Sequence, residues 1–196
     1  MSDLIKYAAD LEGIVDGQAG GPPVDKWTPP LSGDMDLVIR RDGVWLHEGV
    51  VMTRARLVRA FSTILKREGA DYFLVTPHEK WRIKVEDVPF MAVLMHVEGI
   101  GPSRRIIIST NVGDRVQLGS DHPLTMRVDK GERVPYVDIR AGLEAKIARS
   151  VYYDLVALGE VRSLKGEDIF GVYSGDVFFP FGAARDIFQE DETDEL

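Results

Sequence analysis

The sequence predicts an α+β protein made mainly of short antiparallel strands, with one long helix in each half. From Tyr72 onward, apolar and polar residues alternate with a period of two, which is typical of strands with one solvated face. Turn signals interrupt these runs at GIGPS, NVGD, GSDHP and DKGE. Two other segments carry the apolar stripe of an amphipathic helix. Runs of strands with separate helices indicate this fold class.

Length and composition restrict the class of protein further. The chain has 196 residues, enough for one domain or two small ones. It contains no cysteine, which excludes disulfides, thiolate nucleophiles and zinc knuckles. The net charge is −8, but the last eleven residues contribute −6 of it, which leaves −2 for residues 1–185. Because no apolar run is as long as a membrane-spanning helix, we expect a soluble, cytoplasmic protein with no membrane partner.

The first elements are a short helix, a linker and a hairpin. Residues 2–15 carry apolar side chains at helical spacing. The sequence DGQAGGPPVDKWTPP that follows is rich in Gly and Pro, so it predicts a linker. We therefore predict an N-terminal helix and linker over residues 1–24. The step from Asp42 to Gly43 suits the positive φ angles of a tight turn and predicts a hairpin around it.

A basic amphipathic helix is predicted over residues 54–68. Leu57, Phe61 and Leu65 lie on its apolar stripe, and Gly69 is a candidate C-terminal stop. Period-two alternation then predicts a strand at residues 81–85. Further strands are predicted at 90–98, 104–109, 115–118 and 124–128, as an antiparallel meander.

The second long helix is predicted from the cap residue Asp138 to the stop Gly159. Its apolar stripe consists of Leu143, Ile147, Val151, Leu155 and Leu158. A last hairpin, FGVYSGDVFFPFG, is predicted to turn at residues 174–176.

The two halves are similar in outline, which suggests a duplication. Each half reads as strands, one long helix and a hairpin. We predict an N-terminal α+β lobe over residues 25–88 and a C-terminal α+β lobe over residues 89–185. The acidic tail is residues 186–196.

Two basic clusters are candidates for binding an anion. In the first predicted helix, Arg56, Arg59 and Lys66 share a face, which is either an ordinary solvated surface or a surface for phosphate or nucleic acid. The segment TPHEKWR gathers a hydroxyl, an ammonium and a guanidinium at a strand end, which suits a phosphate or carboxylate. The alternative interpretation of this segment is a solvent-exposed strand in which Lys80 and Arg82 pair with neighbouring acids.

Motifs for metal binding or catalysis are weak in this sequence. The four histidines are far apart, and no phosphate-binding loop or nucleophile elbow is present. The carboxylates of Asp34, Asp36 and Asp114 are candidate oxygen ligands for a divalent ion. Asp residues more often stabilise turns or cap helices. We therefore assign no catalytic residue, no metal and no cofactor.

Several motifs, taken in order, resemble one bacterial family. WTPPLSGDMDLVIRRDGVWLHEG, FSTILKRE, YFLVTPHEKWRIKVEDVPF, TNVGD and VYYDLVALGE are similar to the domain-of-unknown-function family 1285, over about residues 22–182. The family has no established activity. The resemblance implies a duplicated core of two α+β halves, the C-terminal one superficially similar to pleckstrin-homology-like barrels. It also implies a cleft for a nucleotide or nucleic-acid-like ligand and a role in signal transduction. Met35 and His78 depart from the family pattern.

From the residues and the resemblance together we expect a non-enzymatic ligand-binding or regulatory protein. The expected cleft between the lobes is lined by Thr76, Lys80, Arg82, Asn111, Tyr136 and Arg140. In it the cations hold phosphate and Tyr136 stacks a base.

Two alternative functions stay open from the sequence. One is a metal-assisted hydrolase of a phosphorylated metabolite in which Asp34, Asp36 or Asp114 holds a divalent ion. The other is a protein-interaction module with an exposed apolar patch of Phe178, Phe179 and Phe181.

Overall fold

The structure, a computed structural model, describes residues 21–129 and 131–188. The predicted helix over residues 2–15 and nearly all of the acidic tail lie outside these residues. The described chain forms fifteen strands in three sheets, with three α-helices, so the fold is sheet-rich α+β. It divides into an N-terminal unit, which runs up to Phe90 and includes Asn111–Gly113 and Ala141–Leu143, and a C-terminal unit formed by the remainder.

The N-terminal unit contains a six-stranded sheet and one helix. Its strands are β1 (Leu31–Ile39), β2 (Trp45–His47), β3 (Val50–Val51), β4 (Leu65–Glu68), β5 (Asp71–Val75) and β6 (Lys80–Val85). The order in the sheet is β3-β2-β1-β6-β5-β4, which joins two antiparallel meanders through a parallel pairing of β1 with β6. That parallel pair corrects the expectation of a wholly antiparallel fold.

The C-terminal unit repeats the same strand order. Its strands are β7 (Phe90–Glu98), β8 (Arg105–Thr110), β9 (Arg115–Gln117), β10 (Leu124–Asp129), β11 (Glu132–Arg140) and β12 (Leu143–Ile147). The order β10-β11-β12-β7-β8-β9 is again two three-stranded meanders joined through their first and last strands. The fold is therefore a domain duplication, as the sequence suggested, and the repeated part is the six-stranded sheet.

A smaller third sheet completes the C-terminal unit. It consists of β13 (Glu160–Leu164), β14 (Glu167–Ser174) and β15 (Val177–Ala183) in that order. The predicted final hairpin is confirmed, because β14 and β15 pair around a turn after Ser174. The first hairpin is confirmed as well, since β1 pairs with β2 across the turn that contains Gly43.

The first helix, α1 (Ala55–Thr63), is shorter than predicted. Ser62 and Thr63 donate their hydroxyl hydrogens to carbonyls three residues back, which competes with helix continuation. Residues Leu65–Glu68 then pair with β5 instead of extending the helix, and Gly69 makes the turn of that hairpin with φ of 64°. The prediction of a helix over 54–68 is therefore wrong for its last turn, and Lys66 is a strand residue.

The second helix was also predicted too long. The stretch that begins at Leu143 is β12, in which every second residue is buried, and α2 runs only over Arg149–Ala157. Leu143 and Ile147 are spaced for a helix, but the buried Ala145 between them shows the period of a strand. The stop near Gly159 is confirmed. A short helix, α3 (Ala184–Phe188), follows β15.

The apolar core of the N-terminal unit fixes the sheet that carries the candidate site. Phe73 and Val75 of β5 are buried under Val24, which belongs to a 3-10 turn at Val24–Lys26, and Trp27 packs beside it. Burial of such side chains contributes about 1.5 to 3 kcal/mol each. Across the part of the chain that the structure describes, every helix is too short or too polar to cross a membrane.

Candidate functional site

The candidate site begins with an irregular pairing between β1 and β6. From Leu31 to Val38 the register advances seven residues along β1 but only four along β6. One of the three extra residues lies between Leu31 and Gly33. The other two bulge out of β1 between Asp34 and Val38, where the Asp36 carbonyl accepts a hydrogen bond from the Glu48 N–H. Bulges of this kind bend a strand and are frequent beside binding sites. Here the bulge lies between the Asp34–Arg82 pair and the Val38–Lys84 pair.

A groove of about 420 Å³ lies at this bulge, within the size range of small-molecule sites. All of its lining belongs to the N-terminal unit, from β1, β5, β6 and the turn before β5. Four lining residues are charged: Asp34, Asp71, Arg82 and Lys84. The remaining lining residues are Met35, Ala70, Tyr72, Ile83 and Val85. The groove thus combines two cations and two carboxylates with an apolar part.

The cations of the groove come from the outer face of β6. Lys80, Arg82 and Lys84 alternate along this strand, so they point to one side of the sheet. Arg82 Nη1 lies 3.3 Å from Asp34 Oδ1, and the two side chains are 43% and 75% exposed. Ion pairs this exposed contribute only about 0 to 1 kcal/mol. Lys84 is exposed and makes no ion pair among the residues that the structure describes.

Lys80 lies on the same face of β6, but its ammonium group pairs with Glu68 outside the groove. Its Nζ is 2.8 Å from Glu68 Oε2 and lies 4.8 Å from the centre of the Phe73 ring. The hydrogen bond from Lys80 lowers the pKa of Glu68 below its usual 4.5. Lys80 is absent from the groove lining. The alternative of a solvated strand with paired charges therefore describes Lys80 well, and it also describes Arg82, which has its exposed pair with Asp34.

Thr76 has a structural role in the turn between β5 and β6. It is buried, and its hydroxyl oxygen accepts hydrogen bonds from the N–H groups of His78 and Glu79. This is the local side-chain to backbone bonding typical of Thr in turns. The hydroxyl that sequence reasoning assigned to a ligand holds the turn instead.

Asn111 is far from Lys80 within the N-terminal unit. Its side-chain nitrogen donates to the Gly43 carbonyl at 3.2 Å, in the turn that follows β1. Lys80 pairs with Leu31 at the start of β1, whereas Val85 pairs with Ile39 at its end. Five residues of strand separate these two ends of β6, or about 16 Å. Asn111 and Lys80 therefore belong to opposite ends of the sheet.

Tyr136 and Arg140 lie on β11 in the C-terminal unit. Tyr136 is 2% exposed, and the Arg127 guanidinium lies 4.5 Å from its ring centre. This corrects the expectation that Tyr136 stacks a base, because its ring is buried and its face is occupied. Arg140 Nη1 lies 2.5 Å from the buried Oδ2 of Asp114.

The structure also shows where the residues required by the two alternative functions lie. Among residues 21–129 and 131–188, no three His, Asp or Glu side chains are grouped as metal ligands. Phe179 and Phe181 of β15 are 4% and 1% exposed, so the predicted apolar surface patch is wrong for both. Phe178 packs against Tyr173, with ring centres 4.9 Å apart.

Of the six residues predicted for the site, only Arg82 lines the groove. Sequence reasoning missed Lys84 and Asp71. The alternation that placed Arg82 on the wet face of a strand applies equally to Lys84, so that signal was available. Asp71 had no such signal, because its position depends on the β4–β5 turn.

The repeated sheet places the chain among duplicated, sheet-rich α+β proteins, and comparisons with known proteins specify which ones. Residues 22–88 match the family model "Domain of unknown function (DUF1285), N-terminal domain", and residues 89–181 match "Protein of unknown function (DUF1285), C-terminal domain". The chain belongs to the DUF1285 family.

Two solved structures of the same family are similar to this chain. A DUF1285 family protein from Silicibacter pomeroyi DSS-3 is 43% identical with a TM-score of 0.80, covering 87% of this chain and 92% of that one. A DUF1285 family protein from Shewanella baltica OS155 is 28% identical with a TM-score of 0.50, covering 63% of this chain and 91% of that one. No curated protein matches the chain.

Proposed function

We propose that this chain is a non-enzymatic ligand-binding or regulatory protein that holds a small anionic, nucleotide-like ligand in the groove of its N-terminal sheet. The observation that carries the proposal is the presence of Arg82 and Lys84 in one groove of ligand size. A guanidinium and an ammonium two residues apart on a strand face suit the oxygens of one phosphate.

The weakness of the Arg82 ion pair supports binding. Asp34 is mostly exposed, so a phosphate replaces it on the Arg82 guanidinium at little cost. Each charge-assisted hydrogen bond contributes about 1.5 to 3 kcal/mol. Two of them correspond to roughly millimolar affinity. Such affinity suits a protein that senses a metabolite, and a regulatory role in signal transduction is the broader function we propose.

The pleckstrin-homology-like character of the C-terminal lobe belongs to the same proposal. It is supported by α2, which follows directly after the last strand of the six-stranded sheet. Binding at the N-terminal sheet does not depend on it.

The test uses the full chain and calorimetric titration with inorganic phosphate and with AMP. We expect Arg82→Gln and Lys84→Gln each to weaken binding about tenfold or more, the equivalent of one charge-assisted hydrogen bond. Arg115→Gln and Lys26→Gln are matched controls, because both side chains are exposed and lie outside the groove. They should change affinity less than about twofold. Absence of binding at millimolar ligand, or equal losses in the controls, would refute the proposal.

A further inference from the structure

The groove contains more charged side chains than the binding of a phosphate requires. Besides Arg82 and Lys84, it is lined by the carboxylates of Asp34 and Asp71. A carboxylate beside a bound phosphate repels it, so a site that binds only a bare anion gains nothing from these two residues. We infer that the ligand is a sugar phosphate, a phosphomonoester whose hydroxyl groups donate hydrogen bonds to Asp34 and Asp71. This inference rests on the proposed function and specifies its ligand.

Both carboxylates have acceptor capacity for such a ligand. Within residues 21–129 and 131–188, the ion pair of Asp34 is with the exposed Arg82 guanidinium, and once phosphate takes that guanidinium the carboxylate oxygens face the ligand. Asp71 is exposed, and its side chain makes no ion pair within the described parts of the chain. An ionised carboxylate accepts hydrogen bonds and donates none, so the ligand must supply the donors.

The separation of the two carboxylates favours several hydroxyls over a single ammonium group. Asp34 is paired in register with Arg82 on one side of β6. On the other side Tyr72 pairs with Ile83, so Asp71 is one residue further along, next to Lys84. Two strand spacings separate β1 from β5, or about 10 Å. One ammonium group reaches one carboxylate, whereas hydroxyls spread around a sugar reach both.

The rest of the lining fits the carbon skeleton of such a ligand. Met35 adds apolar surface next to Asp34, and Ala70 adds apolar surface next to Asp71. The C–H face of a sugar ring packs against apolar side chains while its hydroxyls point outward to the carboxylates.

The experiment compares ribose 5-phosphate, inorganic phosphate and phosphoethanolamine by calorimetric titration of the full chain. We expect ribose 5-phosphate to bind at least tenfold more tightly than inorganic phosphate. Asp34→Asn should bind inorganic phosphate as well as or better than the wild type, because Arg82 loses its competitor. The advantage of ribose 5-phosphate is the ratio of its affinity to that of inorganic phosphate. In Asp34→Asn and in Asp71→Asn this ratio should fall at least threefold. Asp25→Asn, an exposed acid outside the groove, should leave that advantage unchanged.

The outcomes separate this inference from the proposed function. If all three ligands fail to bind, the proposed function fails and the inference fails with it. If inorganic phosphate binds through Arg82 and Lys84 but ribose 5-phosphate has no advantage, or one that neither Asp variant reduces, the groove binds anions and the sugar phosphate inference is wrong. Tighter binding of phosphoethanolamine than of ribose 5-phosphate would also overturn it, in favour of an ammonium-bearing ligand.

Discussion

The two six-stranded sheets have the same strand order but carry different charges on corresponding strands. In the N-terminal sheet the last strand, β6, presents Lys80, Arg82 and Lys84 on its outer face. The corresponding β12 presents only Glu144 and Lys146 between its buried residues, and Glu144 is paired with Arg127. A shared topology therefore does not imply a shared site, because the site depends on the side chains of one strand face.

The sheets also share a packing feature. In each sheet a buried aromatic ring on the second strand of the second meander, Phe73 on β5 or Tyr136 on β11, lies under a cation from a neighbouring strand. The cation is Lys80 of β6 in the first sheet and Arg127 of β10 in the second, so the two cations come from strands that do not correspond. The shared burial of the ring identifies Tyr136 as a core residue of its sheet and explains why it is unsuited to stacking on a ligand.

The largest expected effect comes from removing the buried ring of Tyr136. Tyr136→Ala should lower the free energy of unfolding by about 3 to 5 kcal/mol, as for other buried aromatics. Tyr153→Ala, which removes an exposed tyrosine of α2, should cost less than about 1 kcal/mol. Urea unfolding measures both. If Tyr136→Ala is stable but has lost ligand binding, the ligand site is in the C-terminal unit and the proposed groove is wrong.

A smaller effect distinguishes the ion pairs of the two units. Asp114→Asn should lower the free energy of unfolding by about 1 to 3 kcal/mol, because it replaces the carboxylate that pairs with the partly buried Arg140 guanidinium by a neutral amide. Asp34→Asn should change it by less than about 1 kcal/mol, since the Asp34 pair is on the surface. Both free energies are measured by urea unfolding at one salt concentration. An equal loss of unfolding free energy in the two variants would contradict the assignment of Asp34 as a replaceable partner of Arg82.

The smallest effect concerns the pH dependence of the N-terminal sheet. Because the pKa of Glu68 is lowered in the folded state, its stabilisation is complete above its usual pKa of 4.5 and is lost as the pH falls through the lowered value. Glu68→Gln should therefore cost no more than about 1 kcal/mol at neutral pH and nothing at strongly acidic pH. Unfolding curves along an acid series give this difference, with the exposed Glu48→Gln as control. A difference that grows on acidification would mean that Glu68 is not stabilised by Lys80.

The sequence predicted the strands and hairpins better than the helices. Alternation and turn residues are local signals, so the hairpin at Gly43 and the one after Ser174 were predictable. The lengths of the helices were not, because apolar residues four apart also fit a strand when the residue midway is buried, as at Ala145. The parallel pairing of β1 with β6 joins residues about fifty positions apart, and no local pattern specifies it.

The candidate site was predictable only where it depends on one strand. Arg82 was predicted from the polar cluster TPHEKWR, and the alternation of its neighbours places both Arg82 and Lys84 on the solvated strand face. The groove itself requires the bulge in β1 and its register with β6, which are tertiary features. Thr76 belongs to the polar cluster TPHEKWR and Asn111 to the family motif TNVGD, and in the structure the hydrogen bonds of both side chains are to turns.

The most direct test of a ligand site on the N-terminal sheet is an amide chemical-shift titration of the full chain with ribose 5-phosphate. We predict the largest shifts in three segments of the N-terminal unit, residues 34–36, 70–72 and 82–85, with little change at Tyr136 and Arg140. The opposite pattern, with the largest shifts at Asp114, Tyr136 and Arg140 and none along β6, would contradict it.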